Sequence, residues 1–138
     1  MTETNRQILL ASRPAGWVEE ANFRLVETPV PQIADGQVLV RNHFLSLDPY
    51  MRGRMNDAKS YAAPVNLGDV MVGGTAGEVV ESKNPKFKVG DKVVGYLGWQ
   101  LYGVSDGAML MKVDDRHIPL SAYLGSVGMP GVTAWYGL

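Results

Sequence analysis

Cysteine is missing altogether, so the chain can form no disulfide, offers no thiolate nucleophile and cannot ligate zinc through sulfur. Histidine is nearly missing too. His43 and His117 are the only two, far apart in sequence, and fall short of what a zinc site normally gathers; no metal is expected. An excess of one charge is also lacking: 13 basic and 14 acidic residues leave a net charge of −1, without the basic face that a polyanionic nucleic acid requires. No apolar run approaches the roughly 20 residues that span a bilayer. After Gln7 the N-terminus has only Ile8, Leu9 and Leu10 as an apolar core, too short for a signal peptide. These absences point to a soluble, cytoplasmic protein with neither a nucleic-acid nor a membrane partner. There is no Ser-His-Asp order, and adjacent carboxylates occur only in charged runs, Glu19-Glu20 and Asp114-Asp115.

Glycine and proline are plentiful, 16 and 8 in 138 residues, a length that fits one domain with a real core. Such punctuation favours many short strands over long helices. Residues 6–12 and 22–29 read as two strands joined by a loop through Pro14 and Gly16. Asp35-Gly36 is a turn signal, and the alternation after it sends Val38, Val40, Asn42 and Phe44 to one face of a third strand. Asp48 is placed to cap a short helical turn with Pro49 at its first position, and Gly53 keeps that turn short. Further strands are expected over 70–82, from Lys92 to about Tyr96, and over 108–113. Leu120, Tyr123, Leu124 and Val127 have helical spacing ended by Gly128 and Pro130, and a second helix begins near Thr133. The sum is a mainly β chain of six or seven strands, a small barrel or sandwich with one or two short helices.

Three constellations invite chemistry. "VGGTAG", Val72 to Gly77, superficially resembles a phosphate-binding loop, but its spacing is wrong and a strand continues after it; glycines in a crowded, bent strand account for it better. "DPYMRGRM" brings Tyr50, Arg52 and Arg54 to one turn beside Met51 and Met55, a phenol and two guanidiniums suited to a carboxylate or phosphate. A capped turn with tyrosine or methionine packed inward and its arginines in water is the simpler reading. Tyr61, Tyr96 and Trp99 lie in loops, where aromatics on a rigid barrel suit a pocket for a flat or apolar ligand; core packing is the default for Tyr96 and Trp99.

Taken in order, "ILLASRPAGWVEEANFRLVE", "GQVLVR", "LSLDPYMRGRMND", "MVGGTAGEVVESKNPKFKVGDKVVGYLGWQ" and "GSVGMPGVTAWYGL" resemble the N-terminal part of the zinc-independent medium-chain dehydrogenase/reductases. The similarity is strongest to the leukotriene B4 12-hydroxydehydrogenase, prostaglandin reductase and curcumin reductase branch of NADPH-dependent alkene reductases. Where the zinc alcohol dehydrogenases carry Gly-His-Glu, this chain has Gly73-Gly74-Thr75, and where they carry a cysteine ligand it has "LDPY". The resemblance implies a GroES-like, partly open β-barrel over residues 1–128, forming the substrate side of a cleft. Residues 129–138 would then start the connection to a Rossmann domain that binds NADPH and is absent from this chain. It implies hydride transfer to the β-carbon of an α,β-unsaturated carbonyl, in an enone or 2-alkenal, without metal. The 138-residue piece alone would be inactive, and no catalytic residue is assigned to it. Tyr50, Tyr61 and Tyr96 fall where the family places substrate-facing aromatics; Met129, Pro130 and Thr133 fall beside the nicotinamide. A quinone reductase of the same superfamily, or a stand-alone GroES-like binding or assembly module, are the alternatives. The apolar end of the chain, Trp135, Tyr136 and Leu138, suits contact with a second copy, as in a homo-oligomer.

Overall fold

Strand β1 (Thr4–Leu10) runs antiparallel to β2 (Phe23–Pro29), with Ile8 opposite Leu25. These elements come from a computed structural model that describes residues 3–59 and 62–138. The loop between them is pinned by Asn22, whose side-chain oxygen accepts from the Glu19 N–H at 2.7 Å and whose amide donates to Ser12 Oγ at 3.1 Å. On its other edge β1 meets two extended stretches rather than a full strand. Ile8 N–H donates to Trp99 O (2.9 Å), Met71 N–H to Ile8 O (2.9 Å) and Leu10 N–H to Asp69 O (3.0 Å). Residues 69–71 are used in this way, while Gly73 and Gly74 accept from Gly98 and Ser46, so β4 covers only Thr75–Ser82, the second part of the strand expected over 70–82.

The larger sheet has five antiparallel strands in the order β6-β3-β4-β5-β7, with β3 at Val38–Leu45, β5 at Lys92–Gly95, β6 at Tyr102–Ser105 and β7 at Met111–Val113. The expected alternation along β3 holds for Val38 and Val40, both fully buried, and fails beyond. Register shifts fall between Leu39 and Val40 and between Asn42 and Phe44, so two bulges break the period of two and Phe44 is exposed. Leu39 is also buried, because the start of β3 is covered on both faces. Val38 and Val40 pack with Val79, Phe87, Val93 and Leu110, whereas Leu39 packs with Ile33 and Tyr102.

β6 lies in a stretch where no strand was expected. Its sequence is short and contains Gly103, so it has little propensity of its own, and its pairing comes from elsewhere. One edge joins β3. The other meets the fully buried Asn5, whose side-chain oxygen accepts from Tyr102 N–H (2.9 Å) and whose amide donates to Tyr102 O (3.2 Å) and Gln100 Oε1 (3.1 Å). One amide side chain thus substitutes for a ladder pair between the two sheets. β7 is shorter than the expected 108–113 because Asp106 and Gly107 hold a turn there, accepting from Ala108 N–H (2.9 Å) and Leu110 N–H (3.3 Å).

Helix α1 spans Tyr50–Arg54. Asp48 does not cap it through its side chain, as expected from sequence; its backbone carbonyl accepts from Met51 N–H at 3.1 Å, and the capping position is Pro49. Met51 and Met55 point inward to Leu10, Val65 and Met71, and each such burial removes about 1.5–3 kcal/mol worth of apolar side chain from water. A 3₁₀ turn at Leu120–Leu124 replaces the longer helical segment expected to reach Val127, and packs on β4 and β5. Helix α2 runs Met129–Gly137, starting four residues before the expected Thr133, since Pro130 needs no intrahelical donor in a first turn. None of its side chains is buried. No helix among the described residues is long and apolar enough to cross a membrane.

The exposed run after β7 carries one local charge pair. Arg116 donates to both Asp114 oxygens (2.6–3.0 Å), and this, with the backbone N–H of Arg116, holds the Asp114 carboxyl at about 2, below its ordinary 3.8. A depressed carboxylate stabilises the fold above its unfolded pKa, and that contribution is lost as pH falls through about 2. Carbon-13 titration of Asp114 is expected to show a midpoint near 2, returning toward 3.8 in Arg116→Gln. A wild-type midpoint near 3.8 would show that the pair does not persist in water.

Candidate functional site

Of the residues singled out from sequence, Met51, Trp99 and Tyr96 flank Gly73-Gly74, the buried link between the extended stretch at 70–72 and β4. A Cβ at Gly73 would lie 2.8 Å from Leu45 Cδ1, 3.0 Å from Met51 Cε and 3.1 Å from Trp99 Nε1, so this flank is closed against α1. Gly74 is different. Its missing Cβ would meet nothing nearer than Tyr96 Cε1 and Leu124 Cδ2, both at 3.8 Å, so its flank is in ordinary van der Waals contact with Tyr96 and the 3₁₀ turn. The crowded bent strand expected for "VGGTAG" is therefore right for Gly73 and for Gly77, whose Cβ would sit 2.9 Å from Asn42 Cα.

Tyr50 opens α1, half-buried, against the cluster of Leu10, Met51, Met55, Val65 and Met71. Trp99 packs on the same cluster and stacks on Phe23, centroids 5.3 Å apart; it belongs to the core, and its buried indole N–H has no hydrogen-bond partner among the described residues. Tyr96 is 66% exposed just beyond β5. It is steadied by Thr75, whose hydroxyl donates to Gly95 O (3.3 Å) and accepts from Leu97 N–H (3.4 Å), gripping the residue on each side of Tyr96. Thr75 was not singled out in the sequence, though its place after the paired glycines was the available signal. Tyr61 lies outside the described residues.

The two guanidiniums of α1 do not form an anion receptor. Arg52 donates to Pro14 O (3.1 Å), to Gly16 O (3.0 and 3.2 Å) and to Asn56 Oδ1 (2.6 Å), and Arg54 donates to Ala63 O (2.9 Å). They fasten neighbouring loops to α1, as Arg13 does through Met55 O (2.8 Å) and Val65 O (3.1 Å). The simpler inward-packed reading of "DPYMRGRM" therefore fits, with loop carbonyls in place of water.

Met129, Pro130 and Thr133 are exposed on α2, where the Thr133 hydroxyl donates to Met129 O at 3.0 Å. The first turn of α2 is tied back to the 3₁₀ turn: Gly131 N–H donates to Gly125 O (3.1 Å), and a Cβ at Gly131 would fall 2.5 Å from the Ser126 carbonyl carbon. That tie places α2 next to the element that faces Gly74 and Tyr96. Among the described residues no three His, Cys, Asp or Glu side chains gather to hold a metal. His43 lies 3.8 Å from Glu78, which Lys92 also approaches at 3.5 Å. Chemically, the arrangement offers an exposed phenol at Tyr96 beside apolar walls.

The family described as the N-terminal domain of oxidoreductase matches residues 6–113. The chain is 53% identical over 136 residues to an NADPH-dependent curcumin reductase of Escherichia coli, covering 99% of this chain and 39% of that protein. It is 43% identical over 126 residues to prostaglandin reductase 1 of Rattus norvegicus, covering 89% of this chain and 36% of the relative. Among solved structures, CurA from Vibrio vulnificus in complex with NADPH superposes with a TM-score of 0.90 at 50% identity, covering 96% of this chain and 40% of the other. The chain thus spans about 40% of the length of the relatives it matches.

Proposed function

Since the chain belongs to the oxidoreductase N-terminal-domain family, with curcumin and prostaglandin reductases among its relatives, we propose that it is the substrate-side part of an NADPH-dependent reductase of α,β-unsaturated carbonyls. One observation carries the reading: 53% identity to an NADPH-dependent curcumin reductase, sustained over 99% of the chain. Residues 1–128 form the barrel wall and 129–138 lead away from it toward the nucleotide-binding part.

NADPH supplies the hydride, and the residues here fit only one end of it. Among the described residues no parallel strand–loop–helix unit is present to grip a pyrophosphate. What fits is the nicotinamide end: the exposed Tyr96 ring beside Gly74, and α2 tied alongside through Gly131. Tyr50 and Tyr96 line the substrate side, a role extended to Tyr61 from the sequence resemblance alone, and a phenol hydrogen bond there polarises the carbonyl oxygen as negative charge develops on it. Met129, Pro130 and Thr133 bound the nicotinamide. No metal takes part, in keeping with Gly73-Gly74-Thr75 at the position of a histidine ligand and with the absence of cysteine. The site works in a cytoplasmic, zinc-independent enzyme, and homo-oligomer contacts engage the exposed apolar side chains of α2.

The test is NADPH oxidation with a panel of 2-alkenals, aryl enones and quinones. The full product of the gene is expected to reduce enones in preference to quinones, and the 138-residue chain alone to oxidise no NADPH above background. Failure of the gene product on every enone overturns the reading. In the active protein, Tyr50→Phe and Tyr96→Phe are each expected to lower kcat/KM about tenfold, equivalent to about 1.4 kcal/mol of transition-state stabilisation.

A further inference from the structure

The five-stranded sheet leaves a seam. Its edge strands, β6 and β7, are joined by residues 106–110 but by no ladder among the described residues. Along that seam runs a groove of ≈ 530 Å³, within the range of small-molecule sites. Tyr96, Leu97 and Met109 line one part of it, with Val104 and Leu110. Gln37, Ser105 and Asp106 supply its polar lining.

Those three polar side chains each commit one atom to the backbone. Gln37 Oε1 accepts from Ala34 N–H (2.9 Å), Ser105 Oγ from Gly107 N–H (3.0 Å) and Asp106 Oδ1 from Ala108 N–H (2.9 Å). Among the described residues the Gln37 amide N–H, the Ser105 hydroxyl proton and Asp106 Oδ2 make no further hydrogen bond, leaving two donor groups and a carboxylate acceptor. This is the set that a phenol or alcohol satisfies, since its O–H donates to the carboxylate and its oxygen accepts from the others. The geometry points to the seam groove as the subsite for the remote end of an elongated substrate, a flat apolar body carrying a terminal hydroxyl. Tyr96 connects the two regions, touching the Gly74 flank and lining the groove. This assignment rests on the reductase reading for its role in turnover, but the binding itself does not.

The test is titration of the nitrogen-15-labelled 138-residue chain with para-hydroxybenzylideneacetone and with its para-methoxy counterpart, followed by amide shifts without NADPH. Saturable shifts are expected at Leu97, Val104, Asp106 and Met109, with the hydroxyl compound binding roughly fivefold more tightly than the methoxy one. Asp106→Asn keeps the oxygen that serves Ala108 N–H and is expected to abolish that preference. Shifts confined to Tyr50 and Gly74, no saturable shifts up to millimolar probe, equal affinity for the two compounds, or an undiminished preference in Asp106→Asn would each overturn the assignment. If the groove binds while the gene product reduces no enone, the reductase reading falls alone. If enones are reduced and the groove stays silent, the groove assignment falls alone.

Discussion

Alanine at Gly77 is expected to destabilise the chain by about 3 kcal/mol or more in denaturant melts, with the spread set by how far the neighbouring strand can move. Gly77 sits on β4 opposite Asn42 of β3, where the register shifts around His43. There the partner backbone comes so close that a Cβ would overlap the Arg41 carbonyl oxygen and sit 2.9 Å from Asn42 Cα. The obstruction is main chain on both counts, so no side-chain rotation relieves it. The β3–β4 ladder is the centre of the five-stranded sheet, and separating it exposes Val38, Val40 and Val79 together. Gly53 is the control. It lies in α1 with nothing within 4 Å of its missing Cβ, so alanine there is expected to be neutral or to stabilise by about 0.5–1 kcal/mol through lower chain entropy. Equal stabilities for the two variants would refute the close-approach argument.

Asn5→Leu is expected to cost about 3 kcal/mol and to raise hydrogen exchange at Tyr102 selectively. Leucine keeps most of the volume, so the loss is one of polar pairing. Tyr102 N–H and O, with Gln100 Oε1, lose partners at a position with 0% exposure, and an orphaned buried group costs about 1–3 kcal/mol. Gln100 retains bonds from Gln7 Nε2 (2.9 Å) and to Leu97 O (2.7 Å), which limits the damage on that side. Arg6→Gln provides the comparison: its 3.3 Å pair with Glu27 is 61% exposed on both sides, and its loss is expected to cost well under 1 kcal/mol. An Asn5→Leu variant as stable as Arg6→Gln, with Tyr102 exchange unchanged, would mean that β6 is held by β3 alone.

Much of the fold was legible because local chemistry and tertiary demand agree. β1, β2, the short α1 and β5 came from apolar runs between glycine and proline signals, and Leu9, Leu10, Met51 and Val93, which those runs supplied, are buried. Where they disagree, the sequence misled. Phe44 belongs to an alternating stripe that two bulges divert to the surface, and β6 has a sequence too weak to announce a strand because Asn5, 97 residues away, supplies its pairing. Asp48 and Pro49 marked the start of α1 correctly in place but not in mechanism, since a backbone carbonyl does the capping.

The candidate site divides along the same line. The sequence by itself determined that no cysteine or histidine cluster is available, that aromatic residues stand in loops, and that the motifs are those of an oxidoreductase N-terminal domain. Composition and motif order are properties of the chain and survive without a fold. Only the tertiary structure decided that Arg52 and Arg54 fasten loops, that Trp99 packs into the core, and that Gly73 is crowded against α1 while Gly74 sits at ordinary contact distance from Tyr96. It also decided that Thr75 steadies Tyr96 and that a groove extends from Tyr96 along the seam. The reason is that adjacent glycines, or arginines two residues apart, are chemically alike in sequence. What separates them is the identity of the atoms that distant strands and loops bring within 3 or 4 Å.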